Sequence, residues 1–250
     1  MHDPGRAPRP GSPRHTRASW GGSPAARAFA WGGAALFVAS LTYFLFRYGL
    51  TFAVVTPGPF RPGDVAWDVL LFSAFALHHS VLAREPIRRR LLDVFPNLER
   101  SAYVWVASLL FLVVCWLWRA VAGVVWDVTG AMRWVFGLIQ IAGLVLSVYS
   151  AALIDVWELA GVKQPDVDGH FEFRTKGPYG YVRHPIYSGW FLIVFSVGTM
   201  TMTRFVFAIV SCVYVLIAIP LEERSLRRSS HGAYERYMKH VPWKLIPHIY

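Results

Sequence analysis

Long apolar runs constrain this chain more than any other feature of its sequence. A helix needs ~20 apolar residues to cross the ~30 Å of hydrocarbon in a bilayer. Six runs approach or reach that length: 28–50, 65–83, 102–122, 133–155, 186–203 and 205–221. The last two are short and are separated only by Arg204, which predicts a tight helical hairpin. The predicted fold class is therefore an all-α integral membrane protein with about six transmembrane helices.

Lysine and arginine are unevenly distributed among the segments that join these runs. They concentrate before residue 28, in 84–100, in 156–183 and after 221. The opposite connections hold little beyond Arg61, Arg133 and Arg204. With six spans the four basic segments share one side of the membrane, and the positive-inside rule places that side, with both termini, in the cytosol. The net charge of +10 is then interpreted as attraction to anionic lipid rather than to nucleic acid.

Composition divides the chain into three parts. Residues 1–27 are rich in Pro, Gly, Ser and Arg and are predicted to be disordered. Residues 28–155 carry four transmembrane helices. Residues 156–250 carry a long loop, the helical hairpin and a partly helical cytosolic tail that breaks near Gly232. Cys115 and Cys212 lie inside apolar runs and are interpreted as small buried hydrophobic residues, not as a disulfide or metal site.

Polar residues gather at the predicted cytosolic ends of these runs. Arg183 and His184 directly precede Pro185, which suits the first position of a helix because its missing N–H would be unpaired there. The paired acids Glu222 and Glu223 end the last run, so a hairpin brings them to the same level. The second run also contains His78 and His79, and ionisable residues in apolar helices usually face an internal cavity. These three sets predict a polar site at the cytosolic membrane interface.

Plainer interpretations exist for each set. Arg183, His184 and Trp190 also suit a membrane-interface anchor, the two acids suit a solvated helix start or a salt bridge to Arg183, and the histidines can be satisfied by neighbouring helices. A non-enzymatic haem or gas-response protein is a further alternative. It is disfavoured because adjacent helical residues point ~100° apart and cannot both ligate one haem iron axially. No G-x-G-x-x-G follows a strand, which argues against a dinucleotide-binding fold.

The motifs of the C-terminal third resemble a known superfamily. "GPYGYVRHPIYSG" (177–189) and "LEERSLRRSSHGAYERYMKHVP" (221–242) resemble the C-terminal signature of the isoprenylcysteine carboxyl methyltransferases and phospholipid methyltransferases. "FALHHSVLAREPIRRRLL" (75–92) and "PNLERSAYVWVASLLF" (96–111) are similar to the bacterial methanethiol S-methyltransferase-like branch. The resemblance implies an integral membrane enzyme of the bacterial inner membrane that uses S-adenosylmethionine. It places the cofactor in a cytosolic pocket made by the last two spans, the preceding loop and the tail.

The resemblance also suggests roles for individual residues. The cofactor-binding set is Gln164, Gly177, Tyr179, Val182, Arg183, His184, Pro185, Tyr187, Glu222 and Glu223. In it, cations and a helix start suit the cofactor's carboxylate, carboxylates suit its amino group and ribose, and tyrosines can stack on its adenosyl part. The catalytic set is Arg183, Glu223, His78 and His79, and no metal is implied. A histidine can act as base or orienting group for the acceptor; alternatively, Arg183 alone stabilises a thiolate or carboxylate acceptor.

The expected acceptor is a small or lipophilic thiol, methylated on sulfur. Carboxyl methylation of a prenylcysteine, N-methylation of a phospholipid and reduction by NADPH in a related architecture stay open, since a fold does not determine chemistry.

Overall fold

Eight α-helices and a two-stranded antiparallel sheet make up the described part of the chain. The computed structural model describes residues 23–82, 98–154, 156–163, 176–230 and 232–250. The helices are α1 (Pro24–Phe46), α2 (Pro62–Leu82), α3 (Glu99–Leu117), α4 (Ala131–Leu153), α5 (Val156–Leu159), α6 (Pro185–Phe195), α7 (Met202–Ser229) and α8 (Ala233–His240). A π-helical turn, Arg47–Thr51, prolongs α1, and a 3₁₀ turn, Gly177–Gly180, precedes α6. The strands are β1 (Val124–Asp127) and β2 (Thr199–Thr201).

Four of these helices are long and apolar enough to cross a membrane: Pro24–Thr51, α3, α4 and α7. The surface of α4 is apolar and exposed, as a surface in contact with lipid must be. Trp134 is 79% exposed and Val148 62% exposed, and few residues of this helix are buried. So much exposed apolar surface suits lipid and not water. The prediction of a mainly helical membrane protein is confirmed. The count of six spans stays a prediction: α2 is long enough at 21 residues but carries Asp64 and Asp68, and α6 is short.

The fifth predicted span, 186–203, is wrong as a continuous helix. Helix α6 ends at Phe195, and the chain continues through Ser196–Gly198 into β2. Eleven residues at ~1.5 Å each reach only about half-way across the hydrocarbon. The sheet formed by β1 and β2, with Val124 opposite Thr201, was not predicted either. The same apolar composition suits a buried strand or a helix, so hydropathy alone does not distinguish them.

Side chains from three neighbouring elements satisfy the backbone where α6 ends. Gln140 on α4 donates a hydrogen bond to the carbonyl of Ile193 (2.8 Å). The hydroxyl of Tyr48 donates to the carbonyl of Val194. The indole N–H of Trp126 donates to the carbonyl of Val197 (3.0 Å). Non-helical backbone inside a membrane protein is tolerated where such partners exist. These three donors therefore allow the chain to leave the helix early.

The prediction that Arg204 separates two spans is wrong. Arg204 lies in the first turn of α7 and is buried. Its guanidinium donates to the carbonyls of Tyr48 (2.9 Å), Gly49 (2.9 Å) and Thr199 (2.7 Å). Tyr48 and Gly49 belong to the π-helical turn, where the altered hydrogen-bond register leaves carbonyls available to a side chain. Arg204 thus ties the end of α1 to the start of α7.

The packing of α6 on α4 depends on two glycines. A Cβ atom at Gly143 would come within 2.6 Å of the Cβ of Leu192, and one at Gly189 would come within 2.5 Å of the carbonyl oxygen of Gly143. Small residues at such positions let membrane helices approach closely. This contact holds α6, and with it the residues that precede the helix, against α4. Elsewhere in the bundle Cys115 and Cys212 are buried free thiols, as predicted.

Candidate functional site

The polar residues predicted to meet at the hairpin do meet. Pro185 is the first residue of α6 and His184 is its N-cap, while Glu222 and Glu223 lie in the last third of α7. The Nε of Arg183 lies 2.7 Å from Oε1 of Glu223, and Nε2 of His184 lies 3.2 Å from the same oxygen. Arg183, His184 and Glu223 are each only 5–6% exposed. The result is a buried ion network that connects the start of α6 to α7.

Glu223 also receives a third hydrogen bond. The hydroxyl of Tyr234, at the start of α8, donates to Oε1 of Glu223 over 3.2 Å. Burial raises the pKa of Tyr234 above its ordinary value, and the negative charge of Glu223 raises it further, so the phenol keeps its proton. A buried carboxylate is stable when paired and hydrogen-bonded in this way. The salt bridge between Glu223 and Arg183, one of the plainer interpretations of the sequence, is therefore present.

The last ten residues of the chain hold Arg183 from the other side. Its Nη1 donates to the carbonyls of Val241 (2.8 Å) and Pro242 (2.6 Å). The backbone N–H of Arg183 donates to the carbonyl of Trp243, and that of His184 to the carbonyl of Lys244, each over 2.9 Å. This C-terminal segment (residues 241–250) thus runs beside the residues that enter α6.

Helix α8 positions that segment. It begins after Gly232, whose φ of +84° is unfavourable for most other residues. The break predicted near Gly232 is confirmed. Tyr237 donates from its hydroxyl to the carbonyl of Tyr179 (2.8 Å), and burial raises the pKa of Tyr237 to about 12. Through these contacts α8 packs onto the 3₁₀ turn that leads to Arg183.

Glu222 has a different environment from Glu223. Its side chain is 44% exposed, and its Oε2 accepts a hydrogen bond from the hydroxyl of Tyr187 over 3.0 Å. Nδ1 of His184 lies 3.9 Å from the same oxygen, and the His184 and Tyr187 rings stack with centroids 5.6 Å apart. Of the two acids, Glu222 is the one that an incoming group can reach.

The other predicted cofactor residues fall into two groups. Gly177 and Tyr179 lie in the 3₁₀ turn, and Val182 is buried just after it, so all three are close in sequence and space to Arg183. Gln164 lies outside the described residues, and so does the side chain of His79.

His78 is present on α2, where its Nδ1 is buried and has no hydrogen-bond partner among the residues that the structure describes. Within the described residues, the hydrogen bonds of the Arg183–His184–Glu223 network do not include His78.

Two features of the site were not predicted as such. Tyr234 appeared only as part of a motif, and its bond to Glu223 could have been suspected because α8 follows α7 after a short break. The carbonyls of residues 241–244 carry no side-chain signal, since any residue supplies a carbonyl. Backbone partners of this kind are therefore invisible in a sequence.

Comparison with known proteins gives similarity over most of the chain. It is 37% identical to a methanethiol S-methyltransferase of Crocosphaera subtropica, covering 73% of this chain and 74% of the relative. It is 30% identical to methanethiol S-methyltransferase 2 of Bradyrhizobium diazoefficiens over 86% of this chain and 87% of the relative. It is 31% identical to a methanethiol S-methyltransferase of Mycobacterium tuberculosis over 84% and 94%. No family model matches the chain, and no solved structure matches it.

An apolar helical bundle with four candidate membrane spans and a buried ion network at the start of α6 defines an integral membrane protein with a polar site at one end. The identities above, over at least 74% of each relative, show that the chain belongs to the methanethiol S-methyltransferase family. The resemblance predicted from the motifs is confirmed.

Proposed function

We propose that the protein transfers a methyl group from S-adenosylmethionine to the sulfur of a small thiol, with methanethiol as the first candidate. The observation that carries the proposal is the similarity to three proteins named for this reaction over most of their length. The site at the start of α6 supports it, because it offers the charges that the cofactor needs. Carboxyl and headgroup methylation and reduction by NADPH are not favoured by these relatives.

The residues present fit S-adenosylmethionine. Its ammonium group and ribose hydroxyls need acceptors, and the half-exposed Glu222 carboxylate is one that they can reach. Its carboxylate needs donors, which we assign to the region of Arg183, His184 and the start of α6. Tyr179 and Tyr187 flank this region and suit the adenosyl part. Gly177, Val182 and Pro185 shape the backbone there, and Gln164 stays a predicted contact.

Glu223 acts in this proposal through Arg183 and His184. It neutralises Arg183, hydrogen-bonds His184 and holds both beside the C-terminal segment, so the donors are pre-oriented when the cofactor binds. Such positioning, together with exclusion of water, is the main contribution a protein makes to a displacement reaction. Arg183 is also close enough to the start of α6 to favour an ionised acceptor in that region.

When bound, S-adenosylmethionine supplies an electrophilic methyl carbon: the acceptor sulfur forms a new S–C bond as the sulfonium C–S bond breaks, and that electron pair stays on the departing sulfur. The thiol must lose its proton in the process. His78 and His79 stay the predicted bases, because an imidazole nitrogen can accept a proton from the acceptor. The Nδ1 of His78, which no described residue hydrogen-bonds, supports a proton-accepting role.

We place the site on the cytosolic side of the bacterial inner membrane, where S-adenosylmethionine is made. The clustering of Lys and Arg near Arg183 and after α7 supports that orientation, which puts both termini in the cytosol.

A three-way binding assay tests the class of enzyme. Purified protein in detergent is titrated with S-adenosylmethionine, NADPH and haem, and binding of S-adenosylmethionine alone is expected. Saturable NADPH binding without S-adenosylmethionine binding would support the reductase alternative, and stoichiometric haem binding would support the gas-response alternative.

A further inference from the structure

The end of the C-terminal segment runs along α6, away from the ion network. The backbone N–H of His184, the N-cap of α6, donates to the carbonyl of Lys244 (2.9 Å). The hydroxyl of Ser188, in the first turn of α6, donates to the carbonyl of Leu245 (2.6 Å). Later residues of the segment thus pair with later residues of α6, so the segment follows this helix into the bundle.

Leu245 shows how far the segment reaches. Leu245 is buried in one apolar cluster with Val215 and Ile219 of α7, which lie eight and four residues before Glu223. At ~1.5 Å per residue, these contacts lie ~6 to ~12 Å along α7 from the level of the ion network. Both α7 residues belong to a helix long and apolar enough to cross a membrane. Leu245 therefore lies at a level where lipid, and not water, surrounds the bundle.

The backbone around Leu245 is hydrogen-bonded within the protein. The N–H groups of Lys244, Leu245 and Ile246 all donate to the backbone oxygen of Tyr250 (2.7–3.1 Å). The carbonyl of Ile246 accepts from the N–H groups of Ile249 and Tyr250, each over 3.1 Å. Unpaired backbone groups are costly in lipid, and this closed turn pairs its own.

The side chains that this turn presents outward are apolar. Ile246 is 49% exposed and Ile249 74% exposed, and Tyr250 is exposed as well. Helix α7 exposes Leu216 and Leu221 over the levels at which Leu245 packs. The exposed side chains of the turn thus add to an apolar surface that a membrane helix already presents to lipid.

Cations accompany this apolar turn. The Nζ of Lys244 donates to the hydroxyl of Tyr250 (3.1 Å) and lies 4.4 Å from the centroid of its ring. A lysine in such a place keeps its stem among apolar groups and its ammonium near the headgroups. Further exposed cations lie at the end of α7 and on α8: Arg227, Arg228, Arg236 and Lys239. Apolar, aromatic and cationic residues of this kind are typical of a segment that lies in the membrane interface beside anionic lipid.

We propose that residues 245–250 are inserted into the lipid beside α6 and α7, where Ile246, Ile249 and Tyr250 contact acyl chains. The partner is a bilayer lipid, and its negatively charged headgroups pair with the basic residues of α7 and α8. The sequence predicted a cytosolic tail, and this inference places the end of that tail inside the leaflet. Because the same segment accepts hydrogen bonds from Arg183 and His184, the bilayer becomes part of the support of the site. The inference does not depend on which acceptor is methylated.

Spin labels at single cysteines test the insertion. Ile249→Cys and the matched control Lys239→Cys, at an exposed position on α8, are labelled in the full-length protein, whose natural cysteines are buried. The protein is reconstituted in vesicles of phosphatidylcholine and phosphatidylglycerol. Collisions of the label are measured with oxygen, which concentrates in lipid, and with a nickel chelate, which stays in water. We expect the ratio of oxygen to nickel collisions to be several-fold higher for Ile249→Cys than for Lys239→Cys.

Two results of this measurement would overturn the proposal. A ratio for Ile249→Cys that equals the water-exposed value of Lys239→Cys would place the turn in the cytosol. Few collisions with either reagent would show that another protein surface, such as a second copy of the chain, covers the turn.

A second labelled position tests whether lipid surrounds Ile249 itself. With the label at Ile246→Cys, the added change Ile249→Asp places a carboxylate at lipid depth and should lower the ratio of oxygen to nickel collisions several-fold. Ile249→Ala is the matched control and should leave that ratio unchanged. An unchanged ratio in Ile249→Asp would contradict the insertion.

Discussion

At the scale of single residues, the adjacent acids Glu222 and Glu223 on α7 have different roles. Glu223 is buried and accepts hydrogen bonds from Arg183, His184 and Tyr234, whereas Glu222 is half-exposed and accepts one from Tyr187. Adjacent residues on a helix point ~100° apart, so Glu223 faces the start of α6 while Glu222 faces the open side. The pair "EE" in the sequence thus holds one structural carboxylate and one that is available to a ligand.

Replacing each acid by its amide distinguishes the structural role of Glu223 from the ligand-binding role of Glu222. Glu223→Gln leaves Arg183 without its buried counter-charge, and breaking a buried pair costs about 3–5 kcal/mol. We expect a clearly lower thermal unfolding temperature in detergent. Glu222→Gln should leave that temperature unchanged and lower the affinity for S-adenosylmethionine by about tenfold, measured by calorimetry. The reverse pattern, with Glu222→Gln unstable and Glu223→Gln stable, would contradict the assignment.

Arg183→Lys probes the geometry of the guanidinium. Arg183 uses Nε for Glu223 and Nη1 for the carbonyls of Val241 and Pro242, and a single ammonium cannot reproduce that fork. We expect faster hydrogen exchange in residues 241–245 and weaker cofactor binding. Arg224→Lys, at an exposed position one residue after Glu223, is the control and should behave like the wild type. Unchanged exchange in Arg183→Lys would show that the C-terminal segment is held by other contacts.

Helix α6 connects the site to the rest of the bundle at the scale of elements. It begins with the site and lies against α4 through Gly143 and Gly189. A hydrogen bond from Ser147 to the carbonyl of Ile186 adds to this contact near the site. A helix of 11 residues has little stability of its own, so its position depends on this packing.

A methyl group at Gly189 should disturb that packing. In Gly189→Ala the new Cβ meets the hydroxyl of Ser147 and the Gly143 carbonyl, and overpacking of this kind costs about 1–3 kcal/mol. We expect a lower unfolding temperature together with weaker S-adenosylmethionine binding. Gly137→Ala on α4 is the control, because nothing lies within 4 Å of a Cβ there. Equal behaviour of the two variants would mean that α4 and α6 separate easily.

Removal of the C-terminal segment tests the other support of the site. Truncation after His240 deletes the carbonyls that accept hydrogen bonds from the guanidinium of Arg183. It also deletes the carbonyls that accept hydrogen bonds from the backbone N–H groups of Arg183 and His184. We expect the truncated protein to insert into membranes and to lose cofactor binding. Ile249→Ala, at an exposed position in the same segment, should retain it. A truncated protein with wild-type affinity would refute the role of the segment.

The described part of the molecule is a helical bundle with its candidate site at one end, and its predicted membrane topology rests on the distribution of the basic residues. Ser229→Cys lies at the exposed end of α7, on the side predicted to be cytosolic, and Arg61→Cys lies on the opposite side. The natural cysteines are buried and should not react. We expect a membrane-impermeant thiol reagent to label Arg61→Cys in intact cells and Ser229→Cys only after lysis. Labelling of Ser229→Cys in intact cells would invert the topology.

Much of this architecture could be predicted from sequence, and the exceptions have physical reasons. Apolar length predicted α1, α3 and α4 within a few residues, and the local order R-H-P predicted the start of α6. The early end of α6 could not be predicted, because it depends on Gln140 and Tyr48 donating to carbonyls near its end. It also depends on Trp126 donating to the carbonyl of Val197, just beyond the helix.

The same distinction applies within the site. The contact between Arg183 and Glu223 was predictable, because the sequence predicted that the helices which became α6 and α7 are neighbours. The support from backbone carbonyls of the C-terminal segment was not predictable, because it depends on the approach of distant parts of the chain.

The central claim is that this membrane protein methylates a small thiol on sulfur, and one measurement tests it most directly. Membranes containing the full-length protein are incubated with methyl-labelled S-adenosylmethionine and, separately, methanethiol, a longer alkyl thiol, a prenylcysteine and phosphatidylethanolamine. The account predicts label in a volatile methyl thioether from methanethiol and much less label from the other three acceptors. Label that appears only in a methyl ester or a lipid headgroup, or in no acceptor while NADPH is oxidised, would contradict it.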